Sequence, residues 1–280
     1  MTITLTPHVD FVPVPRVEVV FEDTDLLGGT TTFTLRAVVG GRYFDVRGGV
    51  NRPVGSTVVL TDYQAAFQAP ITYEVVCWAG AVALGTVVLG TVEVDYDGVV
   101  IQQPLDPKLW ARVTLLLGTA SALERGGRAE LMELDGVVLP AVVGWGPRGG
   151  LVGVPFLILP ESLTHADRLQ ATLGTYTQPQ PQVWLVRTPA AWSRLPRLLF
   201  AHPAGFREVD YDVMLLDGEG SNVTFEASLS EVEQPAPALN AGALRYSDIE
   251  AVYPNYSDVE ASYTLYSDIL RDSGLVGAAG

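Results

Sequence analysis

Four carboxylates, Asp210, Asp212, Asp217 and Glu219, fall within a single stretch of the chain, residues 210–219. Two carboxylates flanking a glycosidic bond are the machinery of a glycoside hydrolase, so this stretch admits that chemistry. The plainer reading is an exposed strand face that ends in an Asp217–Gly218 turn, and it is preferred. A second acidic group, Glu22, Asp23 and Asp25, is close enough in sequence to share a calcium ion. Calcium asks for about six to eight oxygens, and a solvated acidic turn is the simpler expectation. Trp145, in Gly144-Trp145-Gly146-Pro147, could stack on a sugar or on another chain from a loop.

The remaining reactive side chains are sparse. His8, His165 and His202 stand at no metal-ligand spacing from one another. Cys77 is the only cysteine, which rules out an intramolecular disulfide and reads as a small buried apolar group. The chain has no P-loop, no Gly-x-Ser-x-Gly elbow and no His-Glu-x-x-His motif. The expectation is a protein that is not an enzyme and uses no cofactor or metal. A net charge of −15 would repel a phosphate backbone, so nucleic acid is not an expected partner.

These residues need elements to hold them, and the composition names the type. The chain has 280 residues, 48% of them hydrophobic and 18% charged, with 28 glycines and recurrent valine runs. That mixture predicts short strands and turns. The opening Met1-Thr2-Ile3-Thr4-Leu5 has no signal-peptide character. Residues 75–92 carry no charge, yet Gly80, Gly85 and Gly90 interrupt them. They read as two buried strands around a turn near Ala79–Gly80, and no membrane association is expected.

Three regions follow. Residues 1–104 hold about seven alternating strands, among them 16–21, 30–39, 56–61, 71–76, 85–94 and 98–101. An immunoglobulin-like or fibronectin type III β-sandwich fits them. Pro104-Leu105-Asp106-Pro107 marks a boundary. Residues 105–234 predict antiparallel strands, including a hairpin of 129–134 with 137–143 about Asp135–Gly136. One helix, about 161–173, should pack over them, started by Pro160 and Ser162, ended by Gly174, and turned inward along Leu163, Ala166, Leu169, Gln170 and Leu173.

Residues 235–280 begin with a stiff Pro235-Ala236-Pro237 linker and continue as an arm. A ten-residue unit opens Tyr-Ser-Asp at Tyr246, Tyr256 and Tyr266. Tyr246, Ile249 and Tyr253, then Tyr256, Val259 and Tyr263, fall on one face of a short helix, and Tyr266 and Ile269 begin a third. Asn255 could cap the second copy, with Asp258 as an incomplete capping box. Helices this short are marginal in water alone. The arm orders on a partner or a second copy, the preferred reading, or on its own body, or stays disordered, and these eight residues are the expected docking contacts.

The chain resembles the minor tail or baseplate proteins of long-tailed phages that infect actinobacteria. The resembling pieces are Thr61-Asp62-Tyr63-Gln64-Ala65-Ala66-Phe67 before Pro70-Ile71-Thr72-Tyr73, the Pro104–Pro107 junction, and Leu185-Val186-Arg187-Thr188-Pro189 before Leu195-Pro196-Arg197. Phe225 to Pro235 and the spaced Tyr-Ser-Asp segments complete them, where the family has more loosely an aromatic, a small residue and an acid. The resemblance implies a virion part near the tail tip, made in the host cytoplasm. It also implies a ring of copies that contacts other tail proteins, with no catalytic residues to carry over. A carbohydrate-binding adhesin and a glycoside hydrolase are the alternatives.

Overall fold

The computed structural model describes residues 3–126, 130–133, 139, 141–144, 149–174, 180–189, 194–210, 223–235, 246–263 and 269. The chain is mainly β, with antiparallel sheets throughout. The first eight strands are β1 (Thr4–His8), β2 (Arg16–Glu22), β3 (Thr32–Val39), β4 (Arg42–Asp45), β5 (Arg52–Pro53), β6 (Thr57–Asp62), β7 (Ile71–Ala79) and β8 (Val82–Val92). They form a three-stranded sheet, β1-β2-β6, and a five-stranded sheet ordered β4-β3-β7-β8 with β5 on β3. Period-two alternation sends Val17, Val19 and Phe21 of β2 inward, and Ile71, Tyr73, Val75 and Cys77 of β7. Both sheets bury these residues in one apolar cluster.

The remaining strands are β9 (Val99–Gln103), β10 (Asp106–Leu115), β11 (Glu124–Arg125), β12 (Glu130–Met132), β13 (Ala141–Val143), β14 (Leu151–Val152), β15 (Val154–Pro160), β16 (Trp184–Arg187), β17 (Leu198–Asp210) and β18 (Val223–Glu231). Six of them close a barrel in the order β10-β15-β18-β17-β16-β9, every pair antiparallel. Closure removes the sheet edges that an open arrangement would leave. The sequence reading anticipated antiparallel strands but no barrel, because closure joins β9 to β16 across about eighty residues of chain.

The strand expected to finish the first set, 98–101, is instead β9 of the barrel. Pro104 and Leu105 form the turn between β9 and β10, so the breakers mark a bend within one sheet. The reason lies in burial on two sides. Val99 and Ile101 face the barrel core, whereas Val100 joins the cluster of the two-sheet module. Likewise Trp184 and Val186 of β16 point one way and Leu185 the other, and Leu199 and Phe200 of β17 divide similarly. Strands buried on both faces read as continuous apolar runs and give no hint of which sheet they join.

Helix α1 (Leu163–Ala171) packs on β10 and β15. Ser162 caps it, its hydroxyl accepting from the His165 N–H at 3.3 Å. The inward face is His165, Ala166 and Leu169. Leu163, expected inward, is 60% exposed, and Gln170 is exposed and bonded to Glu208. Ala166 and Leu169 are buried and Leu173 packs against the barrel core as expected, and His165, whose ring lies 5.3 Å from that of Trp110 in β10, joins them. Two further helices, α2 (Tyr246–Val252) and α3 (Tyr256–Ser262), lie in the C-terminal arm.

Candidate interaction surfaces

The arm is built from its repeat. In the first two units the eighth residue donates its backbone N–H to the carbonyl of the fourth: Tyr253 to Ile249 at 2.7 Å, and Tyr263 to Val259 at 2.9 Å. Val259 and Ile269 are buried, with Ile249, Tyr253 and Tyr263 packed against them. The Tyr253 and Tyr263 rings meet edge to face at 5.8 Å, their hydroxyls 3.3 Å apart. Equivalent positions of successive repeats therefore cover one another, as units of a repeat protein do. The repeat thus packs on itself, where the sequence pattern predicts a partner or the body as its cover.

The structure brings together five of the eight expected docking residues, Ile249, Tyr253, Val259, Tyr263 and Ile269. Tyr246 stands apart at 72% exposure. The Tyr256 side chain and Tyr266 lie outside the described residues, as does Trp145. Asn255 precedes α3 without a side-chain bond to its backbone, and instead donates to the Asp258 carboxylate at 3.2 Å.

Before the arm, the described chain is tied down at Gln234. Gln234 exchanges two hydrogen bonds with the Asp45 backbone, at 3.0 and 2.9 Å, and donates to the Gln64 side chain at 2.8 Å. Beneath that tie lies a buried polar seam between the two-sheet module and the barrel. Arg187 of β16 is fully buried and donates to the carbonyls of Pro15 at 2.7 Å and Ala65 at 3.1 Å, and to Gln102 Oε1 at 2.6 Å. Its guanidinium sits 4.3 Å over the Phe67 ring. Burial lowers its pKa to about 9, with the Asp62 carboxylate opposing the shift, and it stays charged at neutral pH. Asp62 accepts from the Gln64 N–H and the Tyr73 hydroxyl, each at 2.8 Å. Burial raises the Asp62 carboxyl above its ordinary range, and those two bonds and Arg187 pull it back.

The residues whose types could do chemistry form no metal-binding group where they are described: among those residues no group of three or more His, Cys, Asp or Glu is placed to hold a metal ion. The acidic trio forms a 3-10 turn as a turn was expected, with Asp23 exposed and Glu22 half-buried, but Asp25 is buried and caps it by accepting from the Glu22 N–H at 3.0 Å. Of the hydrolase candidates, Asp210 ends β17 with its side chain outside the described residues, and Asp212, Asp217 and Glu219 lie wholly outside them. His8 sits beside Asp10, His202 bonds the Gln182 carbonyl at 2.8 Å, and Cys77 is buried. His165 accepts the Arg112 N–H at Nδ1, which needs the neutral ring. Burial, then the charges of Arg112 and Arg168, lower its pKa to about 4.

Two apolar edges were not singled out from sequence. The uncharged 75–92 segment does form two strands about Gly80–Ala81, but only β7 is buried. β8 ends its sheet and exposes Val82 and Val88, at 64% and 56%. Gly85 and Gly90, at φ 146° and 151°, let Leu27 and Leu5 pack close beneath it, where a Cβ would meet their methyls at 3.1 and 3.2 Å. The expected hairpin is present as β12 paired with β13, its Asp135–Gly136 turn lying outside the described residues. β12 and β13 form a two-stranded sheet of their own, with Met132, Val142 and Val143 exposed on it and Leu139 exposed before β13. The available signal was the lack of charge in 75–92 and 136–147.

No family model matches the chain, and neither the curated proteins nor the solved structures include a match. Among the described residues no helix is long and apolar enough to cross a membrane.

Proposed function

We propose that this protein is a structural component of a phage tail tip or baseplate, residing in the virion and assembling with copies of itself and with other tail proteins. The observation that carries the reading is the arm. Beyond the Gln234 tie and a proline linker, repeated units fold on one another through Ile249, Val259 and Ile269. A self-packed module with Tyr246 exposed suits contact with a neighbour. The two-sheet module is read as immunoglobulin-like, a spacer that carries the barrel and the arm.

A structure of the assembled particle tests this. The expected result is a defined ring of copies on the tail axis, with residues 246–269 in contact with an adjacent protein. A monomer that binds cell-wall polysaccharide tightly and specifically would replace the reading with an adhesin.

A further inference from the structure

Helix α1 is fastened to the barrel at both ends, and the N-terminal fastening can take a proton. β15 pairs with β10 as far as Val113↔Pro160, and the ladder runs one step further, the Glu161 N–H donating to the Arg112 carbonyl at 3.2 Å. An antiparallel pair of this kind exchanges two bonds, so the Arg112 N–H would normally go to the Glu161 carbonyl. The chain turns into the helix at this point, and Nδ1 of the buried His165 takes that N–H at 3.3 Å. One imidazole thus stands in for a backbone carbonyl at the end of a ladder. The C-terminal end is held by groups that do not titrate. The Thr172 hydroxyl accepts from the Trp184 indole at 2.7 Å, and the Thr172 carbonyl accepts from the Gln103 amide at 2.8 Å.

The charges that bear on the His165 ring are positive, Arg112 of β10 and Arg168 of α1. Both are held by aromatic faces, Arg112 at 5.1 Å over Phe11 and Arg168 at 4.9 Å over Trp110. The acids nearby are engaged or exposed. Glu161 pairs with Arg112 Nε at 2.9 Å, Asp106 of β10 accepts the Lys108 N–H, Glu208 of β17 bonds Gln170, and Asp167 of α1 is exposed, as is Lys108. β15 carries no titratable side chain. A protonated ring has an N–H on both nitrogens, so Nδ1 would meet the Arg112 N–H donor to donor, beside two guanidiniums. The Arg112 N–H would then lack an acceptor.

We propose that α1 is an acid-released flap: a proton on His165 detaches its N-terminal end from β10, and the helix swings on the Thr172 end and uncovers Trp110. The closed ring stays neutral down to about pH 4, whereas a ring freed by opening takes a proton near 6.5. The open form therefore gains population as pH falls through that window, about tenfold or more between pH 7 and 5. The flap belongs to the barrel and is independent of what the arm contacts.

Amide exchange of the full chain tests this, each rate divided by that of an unstructured peptide at the same pH. Protection at the Arg112 and Ala166 amides should fall about tenfold or more from pH 7 to 5, and low urea should leave it unchanged, as a local opening requires. The Trp184 indole N–H, at the hinge end, should keep the higher protection throughout. His165→Asn keeps an acceptor and takes no proton, so protection at the two amides should not change between the two pH values. If that variant does not hold the helix at pH 7, Arg168→Gln removes one like charge and should shrink the fall. An unchanged fall in the variant read would overturn the flap, as would protection at Arg112 and Ala166 equal to that of the Trp184 indole at both pH values.

Discussion

At the scale of single residues, the buried seam sets how firmly the module and the barrel are joined. Truncating Arg187 leaves the carbonyls of Pro15 and Ala65 and the Gln102 amide without their donor. It also leaves Asp62 without its nearby cation. Arg187→Ala should cost about 3–5 kcal/mol, measured by denaturant unfolding, and a loss below about 1 kcal/mol would show the seam to be passive. His165 makes a pH-dependent contribution of known sign. In the folded chain it stays neutral down to about pH 4, whereas in the unfolded chain it takes a proton near 6.5. Between those values the unfolded state binds more protons, so stability falls as pH falls through that window. The loss is complete below about pH 4 and should reach about 1–2 kcal/mol, solvent near the ring absorbing part of the penalty. His165→Asn keeps an acceptor for the Arg112 N–H and should flatten this limb in melts taken from pH 7 to 4.

At the scale of elements, the arm's order depends on contacts between repeats, because helices of seven residues do not persist alone. Val259→Ser removes the central contact of that cluster. Hydrogen exchange at the Tyr253 and Tyr263 amides should accelerate at least about tenfold, with no change in the amides of β7 or β16. Slow exchange at both tyrosines in the variant would mean that something other than the repeat stack holds the helices. The repeat was legible from sequence because its period is strict and its tyrosines recur in register. What the apolar face meets was not, since a stripe of Tyr, Ile and Val has the same pattern whether it covers a partner or the next repeat.

At the scale of the whole molecule, the chain is a body ending near Gln234 and an arm beyond it. Deleting residues 240–280 should leave the body's melting temperature within about 2 °C of the full chain, since the Gln234 bonds to Asp45 and Gln64 are kept. A large drop would place the arm in the body's core. Replacing Tyr246, Tyr256 and Tyr266 together by Ala should weaken capture of tail-tip proteins in a pull-down while leaving that melting temperature unchanged. Unaltered capture would remove these tyrosines from the docking surface.

Local pattern alone determined a great deal here: the strands of β2, β3 and β7 from their alternation, helix α1 from its cap and terminal glycine, and the arm from its repeat. Each is a property of residues within a few positions of one another. Only the tertiary structure decided that β9 leaves the first sheet set for a barrel, that β16 divides its side chains between two cores, and that β8 ends its sheet among the described residues. Those outcomes depend on what lies across from a strand. A valine has the same identity in a core, at a seam or on an open edge, and burial by distant chain is what separates the three.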